Sequence, residues 1–130
     1  MKLIVGGMAQ GKTAYLQKMA PRAVQNMADG REWDWTSGEK PAAISHLEEL
    51  IRRLLAEQEE PIAWLERYVK GSPKTVFLCT EVGSGIVPLK REERDWRETV
   101  GRACCMLAKQ ADCVVRVSCG IGIVIKGEWQ

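Results

Sequence analysis

Residues 6–13 read GGMAQGKT and match the phosphate-loop pattern G-x-x-x-x-G-K-[ST] at every fixed position. A short apolar run, residues 2–5, comes directly before the loop, and residues suited to a helix follow Gly11. The chemistry requires this order, because glycines let the backbone wrap closely around phosphates and the amides at the start of a helix point towards the anion. The pattern therefore predicts a strand, a nucleotide-binding loop and a helix within an α/β sheet.

The loop predicts a site for a nucleotide with Mg²⁺, and the nucleotide would be GTP or ATP. The ammonium group of Lys12 would reach the β- and γ-phosphates, and the hydroxyl of Thr13 would bind Mg²⁺. The residues expected to contact the nucleotide are Gly6, Gly7, Met8, Ala9, Gln10, Gly11, Lys12 and Thr13. The alternative interpretation is a glycine turn followed by an exposed lysine.

A carboxylate near the loop is expected to complete the metal site. The segment TVFLCT, residues 75–80, is β-branched and apolar, which is typical of a central strand covered on both faces. Glu81 follows this strand directly, and GSG (residues 83–85) opens a loop after it. Ligands of such sheets collect at the carboxyl ends of the strands. Glu81 is therefore the predicted partner of Mg²⁺ or its bound water, the alternative being a surface carboxylate at a strand end.

His46 is the one histidine of the chain. Pro41 and the spacing of Ser45 and Glu48 predict a helix that begins near residue 41 with a capping box. Apolar residues then recur three and four apart up to Leu55, so His46 would lie at the flank of an apolar helix face. It is either a solvated or locally hydrogen-bonded side chain or a nucleophile that forms a phosphoramidate with a nucleotide.

The remaining segments complete an α/β pattern in one domain, residues 1–130. Pro21 is expected to end or kink the first helix, and residues 26–40 are predicted to form a loop that can include a short strand. Further helices are predicted over residues 61–69 and after Pro88, and two final strands on either side of Gly120. We expect a P-loop NTPase fold with a small, mostly parallel sheet flanked by helices and an antiparallel C-terminal edge strand.

Composition narrows the function classes. Of the 130 residues, 19 are basic and 17 are acidic, which gives a net charge of +2. The two signs are mixed along the chain, so it has no block of basic residues that would suggest nucleic-acid binding. No apolar run approaches the roughly 20 residues that span a bilayer, and residues 1–7 do not resemble a signal peptide. Five cysteines without C-x-x-C spacing argue against a disulfide framework and a zinc site and favour buried free thiols. These features predict a cytoplasmic protein that binds neither nucleic acid nor membranes.

The phosphate loop and two later segments resemble one enzyme family. The segments are TEVGSGIVP, residues 80–88, and ERDWRETVGRACCMLAKQADCVVRVSCGIGIVIK, residues 93–126. They are similar to the adenosylcobinamide kinase/adenosylcobinamide-phosphate guanylyltransferase family. In the loop, Gly6, Gly7, Gly11 and Lys12 match, and Thr13 replaces the usual serine. The matching residues of the later segments are Glu81, Val82, Gly83, Gly85, Ile86, Val87, Pro88, Arg94, Arg97, Gly101, Ala108, Ala111 and Asp112.

The resemblance implies a RecA-like P-loop fold, a homotrimer and a role late in cobalamin assembly. In that family a nucleoside triphosphate phosphorylates the aminopropanol hydroxyl of adenosylcobinamide, and GTP then transfers GMP to the phosphate through a guanylylated histidine. The implied ligands are therefore a nucleotide and a corrinoid.

The chain also departs from this family in three places. Ala9 and Gln10 stand where the family usually has Arg-Ser, and Cys104-Cys105 stand where it has Asn-Gln. The chain is shorter than the family norm between the first helix and residue 75. That region should contain another strand and the segment with the guanylylated histidine, and the surroundings of His46 do not match that segment.

The residues and the resemblance together predict a compact cobinamide kinase with a possible second, guanylyltransferase activity. Lys12, Glu81 and His46 are the predicted catalytic residues, and Thr13 and Glu81 the predicted metal ligands. Two alternatives stay open: a P-loop nucleotide-binding regulatory protein without catalysis, and a P-loop kinase of another small alcohol.

Overall fold

The computed structural model describes residues 1–82 and 88–130, which form a six-stranded sheet flanked by helices. In chain order the elements are β1 (Lys2–Gly6), α1 (Lys12–Met19), α2 (Pro21–Gln25), β2 (Met27–Asp29), β3 (Ala43–Ser45), α3 (Leu47–Ala56), α4 (Pro61–Gly71), β4 (Val76–Thr80), α5 (Arg91–Gln110), β5 (Cys113–Ser118) and β6 (Ile121–Gly127). The predicted GSG loop and the motif residues 83–87 lie outside the described residues.

The strands follow the order β2-β3-β4-β1-β5-β6. Neighbouring strands run parallel up to β5, and β6 pairs with β5 antiparallel at the edge. The prediction of a mostly parallel sheet with an antiparallel C-terminal edge strand is therefore confirmed. Because β1 lies between β4 and β5, Gly6 at its carboxyl end is in register with Thr80 on one side and Val117 on the other.

Both faces of the central strands are buried, which explains their continuous apolar sequence. Phe77 of β4 packs into a core that includes Leu50 of α3, Leu65 of α4 and Leu107 of α5. On the opposite face, Leu78, Ile4 and Val115 pack against Leu16 of α1. The carboxyl ends of β1, β3 and β4 thus open at one edge, between α1 and the three-helix layer.

The helix predicted to begin near Pro41 begins later, and the predicted capping box is wrong. Residues 43–45 form β3, which pairs with β2 and β4, and α3 starts only at Leu47. His46 is the residue before the helix, with no side-chain cap hydrogen bond, and the hydroxyl of Ser45 donates instead to the carbonyl of Ala28 at 3.4 Å. The buried residues 43–45 gain more from pairing within the sheet than from a local helix turn, so tertiary context overrides the local pattern.

The region that the resemblance predicted to have lost a strand contains two short ones. β2 and β3, three residues each, pair in parallel between α2 and α3.

Pro21 separates α1 from α2, and the helix predicted over residues 61–69 is confirmed and extends to Gly71. All five cysteines are free, but Cys105 and Cys119 are exposed, so the prediction of buried thiols is wrong for these two. Among the described residues, no helix has both the length and the apolar character needed to cross a membrane.

Candidate nucleotide-binding site

The glycine-rich loop runs from the central strand β1 directly into α1. A side chain at Gly6 would place its Cβ 2.5 Å from the carbonyl oxygen of Val117, so the neighbouring strand leaves room only for glycine there. Gly11 adopts a left-handed conformation, φ 94°, and precedes the first helical residue, Lys12. The first N–H groups of a helix have no partner inside it. The loop therefore ends where backbone donors are available to an anion.

The side chain of Lys12 lies across the loop that precedes it. Its Nζ donates to the carbonyl oxygen of Gly7 at 2.8 Å and to that of Gly6 at 3.3 Å. Burial lowers the pKa of Lys12, and nearby negative charge, first that of Glu48, opposes this effect. Thr13 is exposed at the next position. The structure thus gathers the predicted loop residues at one end of α1.

The turn between β5 and β6 holds the loop from the other side. The backbone N–H of Cys119 donates to Oε1 of Gln10 at 2.6 Å, and that of Gly120 donates to the Gln10 carbonyl at 2.9 Å. Cys119 and Gly120 both have positive φ, 52° and 77°, as in the two-residue turns that suit twisted hairpins. Gln10, which departs from the family pattern, therefore joins the loop to the hairpin.

A cavity of about 740 Å³ opens beside the loop, within the range of small-molecule sites. Its lining residues are Met8, Ala9, Gln10, Gly11, Lys12, Thr13, Ala14, Arg31, Ser45, His46, Glu48, Glu49, Leu78, Thr80, Val82 and Trp96. Six of the eight residues predicted to contact the nucleotide are in this list, all but Gly6 and Gly7. The cavity also joins the loop to side chains from the β3–α3 region.

His46 lies in the wall of this cavity. The prediction that it lies at the flank of an apolar helix face is wrong. Its left-handed backbone, φ 50°, links β3 to α3, and its side chain is 38% exposed. Nδ1 lies 3.3 Å from Oδ1 of Asp29 and 3.3 Å from the hydroxyl of Ser45. In the neutral ring, a carboxylate beside Nδ1 favours the tautomer with its proton on that nitrogen, which leaves the lone pair of Nε2 available. This is the arrangement that a nucleophilic or proton-accepting histidine requires.

Asp29 and Arg31 form a pair that the sequence did not reveal. The guanidinium of Arg31 binds the Asp29 carboxylate through Nε at 3.1 and 3.0 Å and through Nη2 at 2.7 Å. These hydrogen bonds, together with the backbone N–H of Arg31 and the charge of His46, lower the pKa of Asp29. Both residues fall in the segment predicted to be mainly loop. The signal available was an aspartate directly at the end of a short strand.

Glu81 lies at the end of β4 as predicted, but its side chain belongs to a neighbouring cavity. That cavity, about 380 Å³, is also lined by Cys79, Arg97 and Cys104. Oε2 of Glu81 lies 3.2 Å from Nη2 of Arg116 on β5. Glu81 therefore lies at the predicted sheet edge, and its role as a partner of Mg²⁺ stays a prediction.

Glu48 is the acidic side chain that the sequence did not assign to the site. The prediction placed it in a capping box, whereas the structure places it in the wall of the larger cavity, 5% exposed. The described residues contain no group of three or more His, Cys, Asp or Glu side chains that could hold a metal ion. A Mg²⁺ ion bound with a nucleotide does not need such a group, because phosphates and waters supply most of its ligands.

The fold and the site define a class of protein: an α/β protein whose mostly parallel sheet presents a glycine-rich loop, consistent with a nucleotide-binding fold. Residues 44–125 match the family described as cobinamide kinase / cobinamide phosphate guanyltransferase. Because this range is more than half of the chain, the protein belongs to that family, as the resemblance predicted. The matched range includes His46, Glu48 and Glu81 and begins after the glycine-rich loop.

One curated protein with a stated function is similar to part of the chain. It is the bifunctional adenosylcobalamin biosynthesis protein CobU of Salmonella typhimurium, 47% identical over 53 residues. The alignment covers 41% of this chain and 29% of that protein, so the chain matches less than a third of its relative's length.

Proposed function

We propose that this protein is a P-loop kinase that binds GTP or ATP with Mg²⁺ and phosphorylates a hydroxyl group of adenosylcobinamide. The observation that carries the proposal is the loop of residues 6–13, which connects the central strand to the start of α1 in the wall of a 740 Å³ cavity. Membership of the cobinamide kinase family supports the substrate. The same resemblance supports a homotrimer, which light scattering would test, and the free cysteines support a cytoplasmic location.

Transfer of a phosphoryl group depends mainly on positioning and on neutralising charge. Lys12 would exchange its bonds to the Gly6 and Gly7 carbonyls for bonds to phosphate oxygens. Thr13 supplies a hydroxyl oxygen, a donor that suits Mg²⁺, and the ion would neutralise the phosphate oxygens. Glu81 stays a candidate at the same sheet edge, although its carboxylate pairs with Arg116.

A transfer assay tests the kinase proposal. The protein is incubated with adenosylcobinamide and γ-labelled ATP or GTP, and label on the corrinoid is the expected result. Lys12→Ala should abolish the transfer, whereas Lys18→Ala, an exposed lysine on the same helix, should not. Nucleotide binding without transfer to the corrinoid would contradict the kinase proposal and favour a regulatory protein. Transfer of the label to another small alcohol would show that the protein is a kinase with a different substrate.

A second activity, guanylyl transfer, is favoured by the position of His46. Its ring lies in the same cavity as the loop, with Nδ1 beside Asp29. In this reaction Nε2 attacks the α-phosphorus of GTP, the bond to the β-phosphate oxygen breaks and pyrophosphate leaves. A phosphate oxygen of the phosphorylated corrinoid then attacks the same phosphorus, which releases His46 and completes the transfer of GMP.

Labelling with α-labelled GTP tests this second activity. The wild type should acquire acid-labile covalent label, and His46→Ala should remain unlabelled. Label that survives His46→Ala would exclude His46 as the nucleophile. Kinase activity of His46→Ala, measured in parallel, separates the two reactions.

A further inference from the structure

Glu48 is a buried carboxylate in the wall of the nucleotide cavity. It is 5% exposed and is the second residue of α3. Its Oε1 accepts the backbone N–H of Thr80, the last residue of β4, at 2.9 Å. Among the described residues this is the one hydrogen bond made by the carboxylate, so Oε2 is left for another partner. A carboxylate this deeply buried is unfavourable unless positive charge compensates it.

The backbone that carries Glu48 is held firmly by α5. Nε1 of Trp96 donates to the carbonyl oxygen of Glu48 at 2.8 Å. The guanidinium of Arg52 lies over the Trp96 ring, 3.7 Å from the ring centre. The same guanidinium binds the carboxylates of Glu49 at 3.2 Å and Glu93 at 2.8 Å. Glu49, the neighbouring acid in the cavity wall, is therefore neutralised by Arg52. The nearby arginines Arg31, Arg52 and Arg116 form their ion pairs with carboxylates other than that of Glu48.

Two positive groups lie near Glu48, Lys12 and Arg31, and both line the same cavity as Thr13. Among the charged groups that act on Lys12, Glu48 has the largest effect. A carboxylate and a hydroxyl are hard oxygen donors, which fit Mg²⁺, an ion bound by one or two protein carboxylates together with phosphates and waters. The charge of Glu81 also acts on Lys12, but less than that of Glu48, and its carboxylate pairs with Arg116 and lines the neighbouring cavity.

We infer that Glu48, and not Glu81, is the carboxylate that binds the divalent cation of the nucleotide, directly or through one of its waters. This inference rests on the proposed nucleotide binding but not on the transfer reaction. Oε1 would keep its bond to the Thr80 N–H, and Oε2 would be the oxygen available to the cation or its water. The same carboxylate then has two tasks: it closes the end of β4 and it completes the metal site.

The substitution Glu48→Gln separates these two tasks. The glutamine carbonyl can still accept the Thr80 N–H, so the melting temperature should stay close to that of the wild type, while the negative charge is lost. Binding of Mn²⁺, used in place of Mg²⁺, is measured by electron paramagnetic resonance at a saturating concentration of a non-hydrolysable GTP analogue. We expect about 10–100-fold weaker Mn²⁺ binding for Glu48→Gln. Nucleotide affinity in EDTA should be unchanged or higher.

Two further substitutions are compared with it. Glu49→Gln removes a carboxylate paired with Arg52 in the same cavity wall; it is the control and should bind Mn²⁺ within about threefold of the wild type. Glu81→Gln tests the alternative metal ligand at the same sheet edge, and its Mn²⁺ affinity should fall less than that of Glu48→Gln. Wild-type Mn²⁺ affinity in Glu48→Gln, or a loss confined to Glu81→Gln, would overturn the inference while nucleotide binding in EDTA still supports the proposed function. Absence of nucleotide binding by the wild type would overturn both.

A second variant covers the case in which Glu48→Gln does not fold. Glu48→Asp keeps the charge and shortens the side chain by one methylene. We expect an Mn²⁺ affinity below that of the wild type, with nucleotide binding in EDTA retained. An Mn²⁺ affinity unchanged in a folded Glu48→Asp protein would count against a precisely placed carboxylate and hence against the inference.

Discussion

The side-chain oxygen of Gln10 accepts a hydrogen bond of 2.6 Å from the backbone N–H of Cys119, which joins the glycine-rich loop to the turn of the last hairpin. The main-chain carbonyl of Gln10 accepts a second bond from Gly120. A Cβ atom at Gly11 would lie 3.2 Å from the Cα of Gly120, so the two turns are also in close contact. The conformation of the loop therefore depends on a hairpin more than one hundred residues away in the sequence.

Gln10→Ala should weaken nucleotide binding. The change removes the acceptor of the Cys119 N–H, and the loss of such a bond costs about 1–1.5 kcal/mol, or roughly tenfold in affinity if the loop must reorder to bind. Calorimetric titration with a GTP analogue measures the effect. Gln17→Ala, an exposed glutamine on α1, is the control and should bind as the wild type does. Equal affinities for the two variants would show that the bond between the Gln10 side chain and Cys119 does not order the loop.

Lys12→Met should abolish nucleotide binding without lowering stability. Burial lowers the pKa of Lys12 in the folded protein, so the unfolded chain holds the proton more tightly. The free energy of unfolding therefore rises as the pH increases from the folded-state pKa of Lys12 to its ordinary value. The buried charge opposes folding at pH 7. Methionine keeps most of the apolar side chain and removes the ammonium group, together with its hydrogen bonds to the Gly6 and Gly7 carbonyls. Thermal unfolding at pH 7 should give a Tm equal to or above that of the wild type, and a clearly lower Tm would contradict this account.

Asp29→Asn should remove a pH-dependent contribution to stability. Hydrogen bonds from Arg31 lower the pKa of Asp29 in the folded protein. This contribution is complete well above pH 3.8, the ordinary value for aspartate, and is lost as the pH falls through the folded-state value. Urea unfolding should thus show the variant to be less stable at pH 7, with the difference shrinking in acid.

Two glycines should respond in opposite ways to alanine. At Gly30 a Cβ would lie 2.4 Å from the carbonyl oxygen of His46 and 2.6 Å from that of Ser45, so the backbone must shift, at a cost of about 1–3 kcal/mol. At Gly101, inside α5, a Cβ meets no heavy atom within 4 Å, so alanine should stabilise the helix by about 0.5–1 kcal/mol. Urea unfolding at neutral pH measures both. Gly30→Ala should also reduce labelling at His46 more than it reduces nucleotide affinity.

The loop and the central strands could be predicted because their sequence signals are local. Residues 6–13 carry a fixed pattern, and the apolar run of β4 is buried on both faces, which is what its composition indicates. The residues around Ser45 could not be assigned in the same way. Their spacing fits a helix cap, and only the pairing of residues 43–45 with β2 and β4 shows that they form a strand.

The acidic residues of the site show the same limit. The end of a strand indicates the sheet edge on which Glu81 lies, but not the direction of its carboxylate. That direction depends on Arg116, which comes close because β5 lies beyond β1 in the sheet. Glu48 reaches the cavity because α3 starts only after β3 ends. Neither fact follows from a motif, since both depend on the order of the strands.

The order of the strands also gives the two sides of the cavity different resistance to local unfolding. β1, which carries the loop, has a parallel partner on each side, whereas β2 is a three-residue strand at the edge that pairs with β3 alone. Amide hydrogens of Lys2–Gly6 should therefore exchange with solvent deuterium only when the whole protein opens, and those of Met27–Asp29 much earlier. In such a partly open state the glycine-rich loop would stay formed after Asp29 had moved away from His46.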